Sequence, residues 1–360
     1  MRFWSGKRVF LTGHTGFKGG WFALWLGELG AEVTGYSLEP PTNPSFFELA
    51  RIADSCRSLL ADVRDIRRLE QAMAAVRPEI VFHLAAQSLV RESYVDPVGT
   101  YATNVLGTAN VLEAVRRVPE VKAVVIVTSD KCYENRESTL AFRESDRLGG
   151  HDPYSNSKAC AELVTQAFRD SFFADKDGGR TVGVASARAG NVIGGGDWAK
   201  DRLLPDYVRA IVAGRPVRIR RPDAVRPWQH VLDPLSGYLQ LGERLFDEGA
   251  PWAQGWNFGP DEGDARNVRW VVDEFTRLWG AGARWEIDAA AHPHEAGMLR
   301  LDISEARERL GWRPTWDIGK ALEHTVAWYR GYATGADLRA LSLAQIDEFE
   351  TATKVLEHAK

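Results

Sequence analysis

The chain has 360 residues, enough for about two domains, and its 44% hydrophobic and 26% charged content is that of an ordinary globular protein. A net charge of −4 lacks the basic excess of a general nucleic-acid binder, and no apolar run approaches the roughly 20 residues of a bilayer span, so neither nucleic acid nor membrane is expected as a partner. The stretch from Met1 to Gly13 shows no apolar region ending in a small-residue cleavage site, and Cys56, Cys132 and Cys160 form no metal spacing, so a cytoplasmic protein with reduced thiols and no bound metal is expected.

Arg8 to Thr12 predicts a strand, followed by a glycine-rich turn and a helix from Phe17 to Leu29 that stops at Gly30. Further strands are expected over Glu32–Ser37, Arg57–Asp62, Glu79–Leu84, Lys122–Thr128 and Thr181–Arg188, with helices over Gly99–Arg117 and Tyr154–Asp170. Apolar runs without strict alternation suit strands covered on both faces by helices. The expected fold is α/β, a Rossmann-type doubly wound parallel sheet. After Arg188 the texture changes: Gly194-Gly195-Gly196 reads as a flexible loop, and segments such as Arg215–Pro222 are short and loop-bounded. Residues 1–188 are therefore expected to form a cofactor domain and 189–360 a smaller mixed substrate domain. Part of 229–260 is expected to return to the sheet, and the tail from Leu341 to form an appended helix.

Thr12-Gly13-His-Thr-Gly16-Phe-Lys-Gly19 follows the first strand and opens the first helix. Glycines there permit a tight turn and let the backbone approach a pyrophosphate at a helix N-terminus; the other reading is a glycine-rich turn without a ligand. No carboxylate precedes Glu39 after the second strand, and no Arg stands there for a 2′-phosphate, so NAD is favoured over NADP. Asp62 and Val63 are placed to touch an adenine edge, with a plain helix cap as the other reading for Asp62. Lys18 meets a phosphate or is solvated.

Tyr154 and Lys158 share a helix face at i, i+4. An ammonium beside a phenol favours the phenolate, which can take a proton from a sugar hydroxyl while hydride leaves the same carbon; a surface helix pair is the plain alternative. Ser129, at the end of the fifth strand, is positioned to hold the same hydroxyl. Asp130 and Lys131 add an acid and a base, which an enzyme that only moves hydride does not need and one that also eliminates water does. The alternative is a structural ion pair.

These motifs, with His83-Leu-Ala-Ala86, Asn104 and Leu310-Gly-Trp312-x-Pro314, resemble the extended short-chain dehydrogenases/reductases acting on nucleotide sugars. Within that family, the following stretches are similar to the CDP-sugar branch of the 4,6-dehydratases: Thr12 to Trp21, Ala85 to Arg91, Thr128 to Asn135, Arg188 to Trp198, Arg226 to Leu232, and His294-Glu-Ala296. The dTDP-sugar members typically carry Thr-Asp-Glu where this chain has Ser129-Asp130-Lys131. The resemblance implies CDP-glucose as substrate and a homodimer or homotetramer. It also implies a cycle in which Tyr154 serves oxidation at C4, Lys131 removes the C5 hydrogen and Asp130 protonates the departing C6 hydroxyl. The implied cofactor set is Gly13, Thr15, Gly16, Phe17, Gly19, Ser37, Asp62, Val63, Leu84, Ala85, Ala86, Thr103, Tyr154 and Lys158.

A nucleoside diphosphate calls for Arg forks. Arg226 is the first candidate, with Arg220 beside Arg218 and Arg221 as a second group that also reads as a solvated basic edge. Gln87, Ser88 and Arg91 follow the fourth strand at its carboxyl end. Asn191 follows the sixth and also reads as a turn residue. Trp198 stacks on a base or packs in the core, and His294 completes the substrate set. His83 reads as a packed residue beside the cofactor. A sugar 4-epimerase would need Tyr154 and Lys158 but not Asp130 and Lys131. A non-catalytic cofactor-sensing regulator on the same fold would need neither pair.

Overall fold

The computed structural model describes residues 3–135, 140–174, 181–280, 282–288, 290 and 297–358. Six strands lead the fold: β1 (Arg8–Thr12), β2 (Glu32–Ser37), β3 (Arg57–Leu60), β4 (Ile80–His83), β5 (Ala123–Val127) and β6 (Gly183–Ala189). They are followed by β7 (Asn191–Ile193), β8 (Val217–Ile219), β9 (Val225–His230), β10 (Gly255–Phe258), β11 (Ala265–Asn267) and β12 (Trp285–Ile287). The main sheet runs β10-β6-β5-β4-β1-β2-β3 and is parallel throughout. Smaller sheets pair β9 with β7 and β11, and β8 with β12.

Successive side chains of each strand serve opposite faces. Val9, Leu11, Phe82 and Val125 join the larger core with the helix Phe17–Glu28 and the helix Leu232–Asp247. Phe10, Val81, Val124 and Ile126 join a second core with Leu69 and Met73 of the helix Ile66–Val76 and with Val111, Leu112 and Val115 of the helix Gly107–Arg116. Burial on both faces is why these strands read as apolar runs.

Some boundaries differ from expectation. β3 ends at Leu60 because Asp62 turns the chain, its carboxylate accepting from Arg64 N at 2.8 Å. The helix expected from Gly99 is three joined pieces from Pro97 to Arg116, with a wide π-type turn over Ala102–Leu106. The expected flexible loop at Gly194–Gly196 is instead buried and close-packed: a Cβ on Gly195 would lie 1.9 Å from the Trp328 ring, and one on Gly196 (φ +84°) 2.3 Å from Phe46. Glycine is there for close approach, not for mobility. The tail is a helix, Leu338–His358, docked on the first one through Trp25 Nε1 donating to Glu350 Oε1 at 2.8 Å. Among the described residues no helix is long and apolar enough to cross a membrane.

Candidate active site

A cavity of about 990 Å³ opens at the carboxyl ends of β1, β4, β5 and β6 and reaches across to β7 and β9. Strand order reverses between β1 and β4, the position where open α/β sheets receive ligands.

One end of the cavity fits a dinucleotide. Gly16 N donates to Gly13 O at 3.1 Å, closing the turn. A Cβ on Gly19 would sit 2.1 Å from Gly13 O, and one on Gly13 (φ +82°) 2.7 Å from Ala85 N, so neither position admits a side chain. The helix that follows has no side-chain cap, and Gly16, Phe17 and Gly19 stand on the cavity wall, which leaves first-turn amides for an anion. Thr15 Oγ1 lies 2.8 Å from Ser37 Oγ and donates to Leu38 O at 2.9 Å, so hydroxyls occupy the place of the usual carboxylate after β2. Asp62, Val63, Leu84, Ala85, Ala86 and Thr103 line the same end. The Asp62 carboxylate is gripped by Arg64 Nε at 2.8 Å. His14 does not face a ligand: its Nε2 is 2.7 Å from Ser58 Oγ, and burial lowers it to about 4. His83 is packed between Thr12 (2.7 Å) and Thr108 (3.3 Å), with burial lowering it to about 3.

The reactive groups gather in the middle of the cavity. After β5 ends at Val127, Ser129 caps a tight turn over Asp130–Cys132, its Oγ accepting from Lys131 N at 3.2 Å. Ser129 Oγ also donates to Asp130 Oδ1 at 3.0 Å, and Lys131 Nζ lies 3.3 Å from the same oxygen. Ser129 and Lys131 line the cavity. Asp130 sits behind them, 1% exposed, and its Oδ2 has no partner among the described residues.

Opposite stands the helix Pro153–Phe168, started by Asp152, whose carboxylate accepts from Ser155 N at 2.9 Å. It presents Tyr154 and Lys158, both buried and both on the wall. Burial pushes the Tyr154 phenol up to about 12, with its hydrogen bond to the Ser129 hydroxyl opposing that rise and Asp130 adding to it. Burial pulls the Lys158 ammonium down to about 8, while Glu162 acts the other way. Lys158 Nζ donates to Val127 O at 3.3 Å, which aims it along the end of β5. Asn104, in the wide turn, ties this helix to the loop after β4 through Ser157 Oγ (2.9 Å) and the Gln87 backbone (2.9 Å each way).

The far end of the cavity is basic. Arg91, Asn191, Trp198, Arg220 and Arg226 all line it, as do Gln87 and Ser88. Their environments differ. The Gln87 amide is spent on its own loop, donating to Leu89 O and Thr100 Oγ1 and accepting from Leu89 N at 2.5 Å. Asp201, at the left-handed φ of 61°, holds Arg91 at 2.8 Å and Arg220 at 3.3 Å. Arg226 donates to the carbonyls of Val225 and Gly297. Asn191 Oδ1 and Trp198 Nε1 are buried without partners among the described residues, although Trp198 also packs edge-on against Tyr329 and Tyr332. His294 lies outside the described residues. No group of three or more His, Cys, Asp or Glu suited to a metal occurs among the described residues.

Sequence reasoning missed Arg202. It enters the cavity between Asp197 (2.8 Å) and Ser88 (2.9 Å) and faces Tyr154. Its only signal was a basic residue in a loop, which many other positions share. Lys18 is half-buried on the cavity wall, its Nζ donating to Tyr238 Oη at 3.5 Å. Burial, together with Lys158 and Arg202, lowers it to about 7.

A protein-family model described as GDP-mannose 4,6 dehydratase matches residues 10–325. The chain is similar to a Salmonella typhimurium protein named CDP-glucose 4,6-dehydratase, 53% identical over 352 residues that cover 98% of each chain. Among solved structures it is similar to MoeE5 in complex with UDP-glucose and NAD, with TM-score 0.76 and 25% identity over 91% of this chain and 100% of that one. A Bacillus anthracis dTDP-glucose 4,6-dehydratase in complex with NAD shares the fold, with TM-score 0.76 and 21% identity over 92% and 99% of the two chains.

Proposed function

The chain belongs to the GDP-mannose 4,6-dehydratase family of extended short-chain dehydrogenases/reductases, and from that premise we propose that it is an NAD-dependent CDP-glucose 4,6-dehydratase. The reaction removes water from CDP-glucose to give CDP-4-keto-6-deoxyglucose, for deoxysugar biosynthesis in the cytoplasm. The observation that carries this reading is the meeting of two sets of groups at one cavity: Tyr154, Lys158, Ser129 and Lys131 line it, and Asp130 stands directly behind Ser129 and Lys131, its Oδ1 3.0 Å from Ser129 Oγ and 3.3 Å from Lys131 Nζ. The 53% identity to the Salmonella protein supports the CDP-glucose assignment.

The glycine loop, Thr15, Ser37, Asp62, Val63, Leu84–Ala86 and Thr103 hold the dinucleotide, with residues 1–188 as its domain. Residues 189–360 hold the sugar nucleotide, apart from the stretch through the helix Leu232–Asp247 and β10, which joins the first sheet. When bound, NAD supplies the reversible hydride acceptor that oxidation at C4 and reduction at C6 require.

The protein's own groups do the rest. Tyr154 takes the C4 hydroxyl proton, with Ser129 holding that hydroxyl and the Lys158 charge favouring the phenolate. The 4-ketone so formed makes the C5 hydrogen acidic. Lys131 removes it, Asp130 gives a proton to the C6 oxygen, the C6–O bond breaks and water departs. Lys131 then returns the proton to C5. Arg91, Arg202, Arg220 and Arg226 neutralise the diphosphate, and Asn191 and Trp198 offer their unmet hydrogen-bonding atoms to the ligand. Gln87 shapes the loop and Ser88 positions Arg202.

Exposed apolar residues on the paired helices, Val98, Leu106, Leu163 and Phe172, support a homodimer through that face, or a tetramer built from it. The test is incubation with NAD and a panel of CDP-, dTDP-, GDP- and UDP-hexoses, with products identified by mass. Conversion of CDP-glucose to a 4-keto-6-deoxy product is expected. Turnover of another nucleotide sugar alone would overturn the assignment, and return of a C4 deuterium to C4 would favour an epimerase.

A further inference from the structure

Behind the catalytic helix lies a buried ionic cluster that no step above uses. Glu162 follows Tyr154 and Lys158 at the next i+4 position of the same helix and is buried. It is met from two other elements. Thr128 Oγ1, just ahead of the Ser129–Lys131 turn, donates to Glu162 Oε1 through a short hydrogen bond. From β6, Ser186 Oγ and Arg188 Nη2 donate to Oε2 at 2.5 and 2.8 Å. Arg188 in turn donates to Tyr133 Oη (2.8 Å) and Glu144 O (3.0 Å), and Tyr133 Oη donates to Asn257 Oδ1 of β10 (2.7 Å). A buried ion pair is weak evidence of net stabilisation, because desolvation offsets the attraction. Such a cluster at this place asks for another reason.

We infer that Glu162 is a positioning residue for the reaction: its buried carboxylate, paired with Arg188, locks the Thr128–Lys131 turn to the catalytic helix and stands one helical turn beyond Lys158. The inference rests on the catalytic reading of Tyr154 and Lys158. Few other groups around Lys158 can favour its charged form. Lys18 faces it from the first helix as a like charge, His83 of β4 is neutral, and Cys132 is a buried thiol. Val127 O accepts its hydrogen bond, and Glu162 opposes the loss of its proton. Burial pushes Glu162 itself upward, yet Arg188, with the hydrogen bonds from Arg188, Ser186 and Thr128, outweighs that and keeps it ionised. Arg188 therefore secures the charge on Glu162, and Glu162 secures the charge on Lys158. Tyr154 is the beneficiary, since a neutral Lys158 does nothing for the phenolate.

The test reads Lys158 directly. Competitive labelling of amines with acetic anhydride, followed by mass spectrometry of the Lys158 peptide, gives the pH midpoint at which that amine becomes reactive. In Glu162→Gln, which keeps the hydrogen-bonding shape, the midpoint is expected to fall by roughly one pH unit. The alkaline limb of kcat should move with it, and Glu162→Asp should restore both. If unpaired Arg188 prevents Glu162→Gln from folding, Glu162→Gln with Arg188→Met removes both charges and is expected to show a smaller fall in the same direction. An unchanged midpoint in a folded variant overturns the inference. Absence of turnover on any nucleotide sugar by the wild type would overturn the functional reading and leave the labelling result standing.

Discussion

Lys131 Nζ lies 3.3 Å from Asp130 Oδ1, although the two residues are neighbours in the chain. In a strand they would point to opposite faces. The strand has ended by then, and the turn capped by Ser129 folds both side chains to one place. In the proposed cycle Lys131 takes one proton from the sugar and Asp130 gives one to it, so the pair as a whole neither gains nor loses a proton in the elimination.

Asp130→Asn and Lys131→Ala should therefore each lower product formation by roughly 100- to 10,000-fold, the usual worth of a general acid or base. Oxidation at C4 should survive. Single-turnover mixing with CDP-glucose and NAD should show reduced-nicotinamide absorbance without the 4-keto-6-deoxy product. Product formation at the wild-type rate in both variants would remove these residues from the mechanism.

Lys158 should weigh on stability. Its ordinary value of 10.5 falls to about 8 through burial, a difference worth about 3 kcal/mol against the folded state. Because the value is depressed in the fold, the penalty is fully present below pH 8 and fades as pH rises from about 8 to 10.5. Lys158→Met should thus be inactive yet more stable in urea at pH 7, with the gap to wild type closing over that window. A variant less stable than wild type at pH 7 would contradict this.

Gly195→Ala should destabilise the protein by at least about 2 kcal/mol, since its Cβ would meet the Trp328 ring at 1.9 Å. Thermal unfolding at neutral pH measures it. An unchanged midpoint would mean that the loop yields easily.

Val98→Glu with Leu163→Glu should convert the assembly to a monomer in light scattering while leaving the far-ultraviolet circular dichroism intact. Both side chains are more than half exposed and lie on helices that pack side by side. An unaltered mass would place the interface elsewhere.

The sheet was legible because strands buried on both faces show as apolar runs, and the Tyr154–Lys158 pair because a helix brings i and i+4 together. Contacts between distant segments were not. Arg202 meets Ser88 across 114 positions, and Gly195 meets Trp328 across 133, a separation that made a packed glycine look like a loose one. The Gln87 amide read as free for a ligand because nothing local revealed Thr100 as its partner. Glu162 carries no local sign of its part, because its partner Arg188 lies 26 positions further along the chain.

Ser129 touches both the Tyr154 phenol and the Asp130 carboxylate, the latter at 3.0 Å. In the proposed cycle the sugar surrenders one proton to the first and takes one from the second, and over a full turnover these amounts must match. A hydroxyl that can accept on one side and donate on the other joins the two into a closed circuit. Through that circuit the proton Tyr154 takes at C4 recharges Asp130 for the next elimination, and turnover in the proposed cycle is expected to be independent of buffer concentration.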